Sequence, residues 1–245
     1  LRKCLDIQRK SGRSLREEPP FPCIFPTMTR EKMDRISEVL SFLRGEDHHI
    51  SGDYISSRLG ISRTAVWKYI NQLEKLGYKI GKLKGKGYRL LKTPDRSYPW
   101  EVRRFLNEGI VGCKLVYKES VDSTNIFAFK FALAGEPEGS VVLAQTQKGG
   151  KGRLNRKWYS PAGKNLYLSV ILRPRVQPSR VYPITFLSSL AVYDTIETVA
   201  GIPSTLKWPN DVLIEGKKIC GTLLELSTET DMVNFVIVGI GLNVN

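Results

Sequence analysis

The sequence predicts an α+β protein in which a mostly helical part precedes a sheet-rich part. Before residue 93, apolar residues recur at the three- and four-residue spacing of helices. Residues 100–245 instead hold many short apolar runs typical of strands, with few helical segments between them. The stretch Thr93–Pro99 (TPDRSYP) is typical of a linker. We therefore expect one domain at 28–93, a linker at 94–99 and a mixed-sheet domain at 100–245.

The composition is that of a globular protein. The chain has 245 residues, 41% of them hydrophobic, and no apolar run reaches the ~18 residues of a membrane span. The four cysteines form no CxxC pair, and the two histidines are adjacent in a polar stretch, so we expect no zinc site and no bound metal at protein ligands. No secretory signal is evident. We expect a cytoplasmic protein with no membrane partner.

The positive charge is concentrated in the N-terminal part. The net charge is +14, and residues 1–98 hold 21 Lys and Arg against 11 Asp and Glu. Within Tyr54–Thr93 there are ten cations and one acid, Glu74. Such a distribution indicates contact with nucleic acid at this end of the protein.

The first 27 residues are polar, contain four prolines and show no apolar period. We expect them to be a disordered extension. Met28 stands directly before the first helical pattern, so one hypothesis is that translation of the native protein starts there.

Three helices and a basic hairpin are expected next. The elements are a helix capped by Thr29 and ending at Leu43, a second at Ser51–Leu59, a third at Arg63–Leu76 capped by Ser62, and strands Tyr78–Ile80 and Gly87–Leu91 around the tip Gly81–Lys86. This order is that of a winged helix-turn-helix, in which the later helix enters the major groove and the wing touches phosphate. The predicted DNA-binding residues are Ser62, Arg63, Thr64, Lys68, Tyr69, Lys84 and Lys86. A winged helix that makes only protein contacts is the alternative.

The second part is expected to alternate strands with a few helices. The predicted helices are Glu101–Leu106, Ile126–Ala134 (capped by Asp122–Asn125) and Tyr182–Ala200; the predicted strands are Lys114–Glu119, Ser140–Thr146, Asn165–Leu172, Thr205–Trp208, Asp211–Ile214, Lys218–Leu226 and Val233–Val244.

A glycine-rich cationic loop lies between two of these strands. Gln147–Trp158 (QKGGKGRLNRKW) holds three glycines and five cations, and no Asp or Glu occurs from Gly139 to Tyr193. Backbone N–H groups and guanidinium forks in such a loop suit an anion such as phosphate. The loop is neither a P-loop nor GxGxxG, and a solvated basic loop without a specific ligand is the alternative.

Together, these motifs resemble the bifunctional biotin–protein ligases, also called biotin operon repressors. The matching segments, in the family's order, are Asp122–Asn125, the loop through Trp158, Ser160-Pro161, Asn165–Ser169, Lys207–Asp211, Gly221–Glu225 and Gly239–Asn243, with the helix-turn-helix at Ser51–Ile70 and the wing at Gly85–Tyr88.

The resemblance implies a catalytic domain with a class II synthetase-like mixed sheet and a biotin–[acetyl-CoA-carboxylase] ligase activity. The carboxylate of biotin would attack the α-phosphate of ATP, with Mg²⁺ bridging the phosphates, to give biotinyl-5′-AMP and pyrophosphate. A lysine of biotin carboxyl carrier protein would then take the biotinyl group and release AMP. The adenylate would promote homodimerisation and binding to the biotin operator, so that the protein represses biotin genes.

The resemblance also implies roles for individual residues. Ser123, Thr124 and Asn125 would bind the biotin ring head, or serve only as a helix cap. Gln147 and Lys151-Gly152-Arg153 would fold over biotin, with Arg153 holding the adenylate; Gly150, Arg156 and Trp158 would contact the adenylate.

Three further assignments keep an alternative. Lys207 lies in an otherwise apolar strand, and we expect it to contact the biotin carboxylate and α-phosphate; the alternative is a surface lysine on an edge strand. Trp158 would cover the adenine, or pack in the core. Asn210 and Asp211 would assist a metal ion or the strand geometry, or only form a turn.

The chain departs from the family's pattern at the loop and at its end. The usual Gly-Arg-Gly-Arg-Arg-Gly-Arg is here Gly-Lys-Gly-Arg-Leu-Asn-Arg, so Lys151, Leu154 and Asn155 are expected to alter loop closure. Family members also continue beyond the position of Asn245, so ligase turnover by this polypeptide is expected to be low or absent. Two alternatives follow, a non-enzymatic biotin-responsive DNA-binding regulator and a relative of the lipoate ligases.

Overall fold

The computed structural model describes residues 30–45, 47–229 and 231–244. The expectations for residues 1–27, for Met28 and for the Thr29 cap fall outside these ranges. The described residues divide into two compact units, and the boundary lies between Arg96 and Ser97.

The first unit has the predicted helix and strand order. Its elements are α1 (Arg30–Arg44), α2 (Gly52–Leu59), α3 (Arg63–Lys75), β1 (Lys79–Leu83) and β2 (Gly87–Lys92). The predicted cap of α3 is present, since Ser62 Oγ accepts from the Ala65 N–H. Ser51, predicted as the first residue of the second helix, is instead its N-cap, and its Oγ accepts from the Tyr54 N–H. β1 continues to Leu83, so the tip of the wing is shorter than predicted, because strand pairing with β2 extends through the Leu83–Gly87 pair.

The apolar stripes of the three helices form the core of this unit. Ile36, Leu40 and Ile55 from α1 and α2 are fully buried, as are Val66 and Ile70 of α3. Ile50, two residues before α2, joins the wing as well: Ile50 and Tyr88 exchange two backbone hydrogen bonds of 2.8 Å. The hairpin is thereby fixed to the helices.

The second unit contains a seven-stranded sheet within the described residues. Its elements are α4 (Pro99–Arg103), β3 (Leu115–Lys118), α5 (Thr124–Leu133), β4 (Val141–Ala144), β5 (Asn165–Leu172), α6 (Tyr182–Thr195), β6 (Thr205–Lys207), β7 (Asp211–Ile214), β8 (Lys217–Glu229) and β9 (Met232–Asn243). The strand order is β3-β4-β5-β9-β8-β7-β6. Only the β3–β4 pair is parallel, so the sheet is mixed and the predicted α+β class is confirmed.

Helices pack on both faces of this sheet. Phe235 and Ile237 of β9 lie in one apolar cluster with Phe131 of α5, whereas Ile240 and Leu242 pack against the cluster that contains Val192 of α6. Since side chains alternate along a strand, the odd and even residues of β9 face opposite helices.

Three predicted helices of this unit differ from the structure in their bounds. The helix predicted at Glu101–Leu106 is α4, Pro99–Arg103, because Pro99 takes the first helical position. α6 ends at Thr195, and residues 196–200 continue as a π-helical turn that Gly201, with φ 65°, terminates. α5 begins at Thr124 rather than at Ile126, with Ser123 at the N-cap position. Among the described residues, no helix combines the length and apolar character required to cross a bilayer.

Candidate active site

A polar cleft of about 430 Å³ opens on the α5 face of the sheet. Four sets of residues line it: the start of α5, the cationic loop, the turn before β7, and the facing segments of β8 and β9. Among the described residues that line it, five are Lys or Arg, and the single acid, Asp211, is already ion-paired. The cleft therefore carries a positive surplus, which favours an anionic ligand.

One wall is built from side chains of α5 held by the neighbouring strands. Ser169 Oγ lies 2.6 Å from Asn125 Oδ1 and 2.8 Å from Thr124 Oγ1. Asn125 Nδ2 donates to Glu225 Oε2 at 2.7 Å. Thr124 and Asn125 are almost fully buried, so these bonds replace their contacts with water and fix the wall.

The N-terminus of α5 is capped by a different residue from the one predicted. Ser123 stands at the N-cap position, but its side chain makes no capping hydrogen bond. Gln147 takes that part instead: its Oε1 accepts from the Thr124 N–H at 2.8 Å and from Thr124 Oγ1 at 3.1 Å. Ser123 lines the cleft, and its hydroxyl is not used to cap the helix.

The base of the cationic loop is closed by backbone contacts. Gly149 N donates to Asp122 O at 2.7 Å, and Trp158 N donates to Gly150 O at 2.8 Å. A Cβ on Gly150 would lie 2.6 Å from Ser160 Oγ, so this position requires glycine for steric reasons. Gly150 does not line the cleft, and the structure places it in the framework of the loop.

The tip of the loop is a tight 3₁₀ turn with two residues in the left-handed region. Leu154 and Asn155 both have φ 56°, and the Leu154 side chain is 85% exposed. Asn tolerates this conformation, whereas Leu in it costs on the order of 1 kcal/mol. Asn155 stands where the family's pattern has glycine. Because Asn also accepts the left-handed conformation, the turn can form without that glycine.

Glycines form the floor beneath the loop. Gly221 of β8 and Gly241 of β9 are paired residues, and Trp158 lies on both. A Cβ on Gly241 would lie 2.7 Å from the indole Nε1, and Lys218 Nζ lies 5.3 Å from the ring centroid on the indole. The Trp158 Nε1 is buried and has no hydrogen-bond partner among the described residues.

The opposite wall contains a short chain of hydrogen bonds. Arg153 Nη1 donates to Asn210 Oδ1 at 3.0 Å, and Asn210 Nδ2 donates to Thr222 O at 2.9 Å. Asp211 Oδ1 lies 2.7 Å from Lys218 Nζ in an ion pair. Asn210 is thus fixed to the sheet and orients the Arg153 guanidinium toward the cleft.

Most predicted ligand-binding residues meet in this cleft. Ser123, Thr124, Asn125, Gln147, Lys151, Gly152, Arg153, Arg156 and Trp158 all line it. Lys207 does not. The premise that its strand would bury the ammonium is wrong, because Lys207 is exposed on β6, the edge strand, where it pairs with Asp211.

Several cleft residues were not predicted. Lys218 was missed because it looked like an ordinary charge of a hairpin. Ser169, which does not line the cleft but holds Asn125, was recognised only as part of the motif Asn165–Ser169. Gly221, Gly239 and Gly241 were recognised only as parts of motifs; their clustering on facing strands follows from the β8–β9 register, which the sequence does not display.

The described residues contain no group of three or more His, Cys, Asp and Glu that could hold a metal ion. Asp211 is the one carboxylate of the cleft. This donor set fits Mg²⁺ that arrives with ATP and is held mainly by phosphate oxygens and water.

The predicted DNA-binding residues lie in the first unit. Arg63, Thr64 and Lys68 are exposed on α3, Lys84 and Lys86 are exposed at the tip of the wing, Tyr69 is half-buried, and Ser62 is the cap. Arg63 Nε lies 2.8 Å from Asp53 Oδ1 of α2. The structure places these positions on one helix and one turn, and their contact with DNA stays a prediction.

Two family profiles match the chain. The biotin/lipoate A/B protein ligase family matches residues 117–243, and an HTH domain matches residues 35–89. The bifunctional ligase/repressor BirA of Bacillus spizizenii is 43% identical over 204 residues, covering 83% of this chain and 63% of the relative. The protein of the same name from Escherichia coli is 28% identical over 206 residues, covering 84% and 62%.

Among solved structures, the biotin protein ligase from Aquifex aeolicus in complex with biotin and ATP is 35% identical, with a TM-score of 0.46, covering 54% of this chain and 53% of that one. The chain spans about 63% of the length of the relatives from Bacillus. Because the ligase profile matches more than half of the 245 residues, the chain belongs to the biotin/lipoate A/B protein ligase family.

Proposed function

We propose that this protein is an ATP-dependent biotin–protein ligase that also binds DNA as a repressor of biotin genes. The observation that carries the proposal is the cleft, in which a cationic glycine loop faces a buried polar wall on a ligase-family sheet. The helix-turn-helix unit supports the second activity. The relatives' name, bifunctional ligase/repressor, supports the combination.

In the first half-reaction, a carboxylate oxygen of biotin attacks the α-phosphorus of ATP, and the bond to the β-phosphate oxygen breaks. Attacking carboxylate and phosphate are both anions, so the cations of the loop reduce their repulsion. Arg153, oriented by Asn210, is the proposed contact to the α-phosphate because its planar fork fits phosphate oxygens. Arg156 and Trp158 are the proposed adenylate contacts. Mg²⁺ would neutralise the departing pyrophosphate.

The wall supports the proposed biotin site. Thr124 and Asn125 are bonded to their neighbours and shape the wall, while Ser123 offers a hydroxyl that no cap consumes. Gln147, Lys151 and Gly152 would close over the ligand. Lys207 remains a proposed contact to the carboxylate, since its long exposed side chain lies on the strand next to Asp211, which lines the cleft.

In the second half-reaction, the amine of a carrier-protein lysine attacks the acyl carbon, the acyl–phosphate bond breaks, and AMP leaves. We also propose a cytoplasmic location, where ATP and the carrier are available, and a homodimer in the presence of the adenylate. Light scattering with and without biotin and MgATP would test the dimer.

The experiment is to incubate the full chain with MgATP, biotin and an apo carrier domain, and to measure the carrier mass. A gain of one biotinyl group supports ligation. Biotinyl-adenylate without a carrier gain would restrict the activity to the first half-reaction, and neither product would contradict the ligase proposal in favour of a biotin-responsive regulator. Replacing biotin with lipoate tests the lipoate alternative. Arg153→Ala should abolish the product, whereas Arg180→Ala, an exposed arginine outside the cleft, should not.

A further inference from the structure

The outer face of α3 carries an aromatic side chain in an unusual setting. Val66, Ile70 and Leu73 bury the inner face of this helix, so the residues between them point outward. Trp67 is one of these, and its side chain is 52% exposed. An indole carries a large apolar face and one N–H donor, so a half-exposed Trp67 on the outer face of a helix-turn-helix is a candidate contact residue.

The charges around Trp67 indicate which kind of partner fits. Arg63, one turn before Trp67, and Lys68, the next residue, are both exposed. The nearby acids are already neutralised: Asp53 by Arg63 at 2.8 Å, and Glu74 by Lys82 at 2.7 Å. With these acids paired and Lys68 in no ion pair among the described residues, the surface around Trp67 complements a polyanion.

The polar residue of α3 that could read a base, Asn71, is already bonded to the wing. Asn71 would be suited to adenine, which an Asn amide recognises through two hydrogen bonds. Its Oδ1, however, accepts from Lys82 Nζ of β1 at 3.0 Å. Trp67, one turn before Asn71, is therefore the largest side chain that remains available at the middle of the helix.

An indole face has one apolar target on the edges of the base pairs. In the major groove, that target is the 5-methyl group of thymine. Resting on the proposed DNA binding of this unit, we infer that Trp67 contacts a thymine 5-methyl group in the major groove and thereby selects that base pair. Arg63 and Lys68 position the helix on the backbone, and Trp67 supplies sequence preference.

The test uses the full chain with biotin and MgATP, and a random-sequence duplex library. Wild-type protein should enrich a motif that contains an invariant thymine, and Trp67→Ala should lose the preference at that position. Replacing the thymine by uracil removes only the methyl group and should weaken wild-type binding about fourfold. Trp67→Ala should bind the thymine and uracil duplexes equally.

Lys68→Ala is the matched control from the same face of the helix. It should weaken binding to all duplexes and reduce the salt dependence, while keeping the fourfold thymine-to-uracil ratio. Circular dichroism melting would verify that each variant is folded. If no motif is enriched by the wild-type protein, the DNA-binding proposal itself fails.

The inference alone is overturned in two ways. In the first, Trp67→Ala enriches the wild-type motif and retains the thymine-to-uracil ratio. In the second, Trp67→Ala changes the mass measured by light scattering but not that ratio, in which case Trp67 contacts a second copy of the chain.

Discussion

Gly239 is the position where the smallest change should have the largest effect on the cleft. A Cβ at this residue would overlap Asn125 Oδ1 and lie 2.7 Å from Asn125 Cγ. To reach the 3.4 Å of ordinary contact, Asn125 must move by at least about 0.7 Å. Its hydrogen bonds to Ser169, at 2.6 Å, and to Glu225, at 2.7 Å, cannot both survive such a shift.

The cost follows from those two bonds and from overpacking. A buried hydrogen bond contributes about 1 kcal/mol and overpacking costs about 1–3 kcal/mol, so Gly239→Ala should destabilise the second unit by about 3 kcal/mol. For a unit of this size, that lowers Tm by about 6–12 °C. If about 2 kcal/mol of the distortion falls on the biotin wall, biotin binds roughly 30-fold more weakly.

Calorimetric titration with biotin and thermal melting would measure both effects. Gly109→Ala is the control, because a Cβ there has no neighbour closer than 4.0 Å and the backbone is not left-handed. If Gly239→Ala matches Gly109→Ala in both Tm and biotin affinity, the wall does not depend on the Asn125 position and the reasoning is refuted.

Three other predictions concern separate parts of the protein. Lys218→Met should slow biotin-dependent ATP–pyrophosphate exchange about 10-fold or more, because one charge-assisted contact is lost. Lys217→Met, at an exposed neighbour, is the control, and equal exchange rates in the two variants would contradict the prediction. Ser62→Ala should lower the free energy of unfolding of the first unit by about 1 kcal/mol in denaturant titration, while Ser62→Asn, which keeps a cap acceptor, should not; a similar loss in both would exclude the cap as the cause. Burial raises the pKa of the Cys220 thiol to about 12 from 9.0, so mass spectrometry after iodoacetamide treatment at pH 8 should show Cys113 alkylated well before Cys220. The thiol ionises at lower pH in the unfolded chain than in the folded protein, so the free energy of unfolding should fall as pH rises from about 9 toward 12. If Cys220→Ala shows the same fall as the wild-type protein, Cys220 is not its cause.

The local elements could be predicted because their determinants are local. Ser62 is followed by apolar residues at helical spacing, and its predicted cap is present in the structure. The start of α5 was misplaced because its cap comes from Gln147, more than twenty residues away. Sequence spacing carries no information about a partner that distant in the chain.

The same limit applies to the cleft. The loop cations were predicted because the absence of acids around them is visible in the sequence. Lys218 and the contact between Ser169 and Asn125 were not predicted, since both depend on which elements of the fold are neighbours. Lys207 shows the converse case: an apolar strand pattern indicated burial, yet β6 lies at the edge of the sheet, where one side of the strand is open.

The strand order has a consequence for how the protein assembles. β6, β7, β8 and β9 follow one another as neighbours in both chain and sheet, so this meander can form from local contacts. The β5–β9 pair, in contrast, joins residues more than sixty positions apart, such as Leu172 and Val236, and must pay a larger loop-closure entropy. One wall of the cleft depends on this pair of strands, because Ser169 of β5 holds Asn125 and is the register partner of Gly239 of β9, which lines the cleft. We therefore expect the binding site to form late in folding. A ligand that binds only the completed site should raise the free energy of unfolding of the sheet.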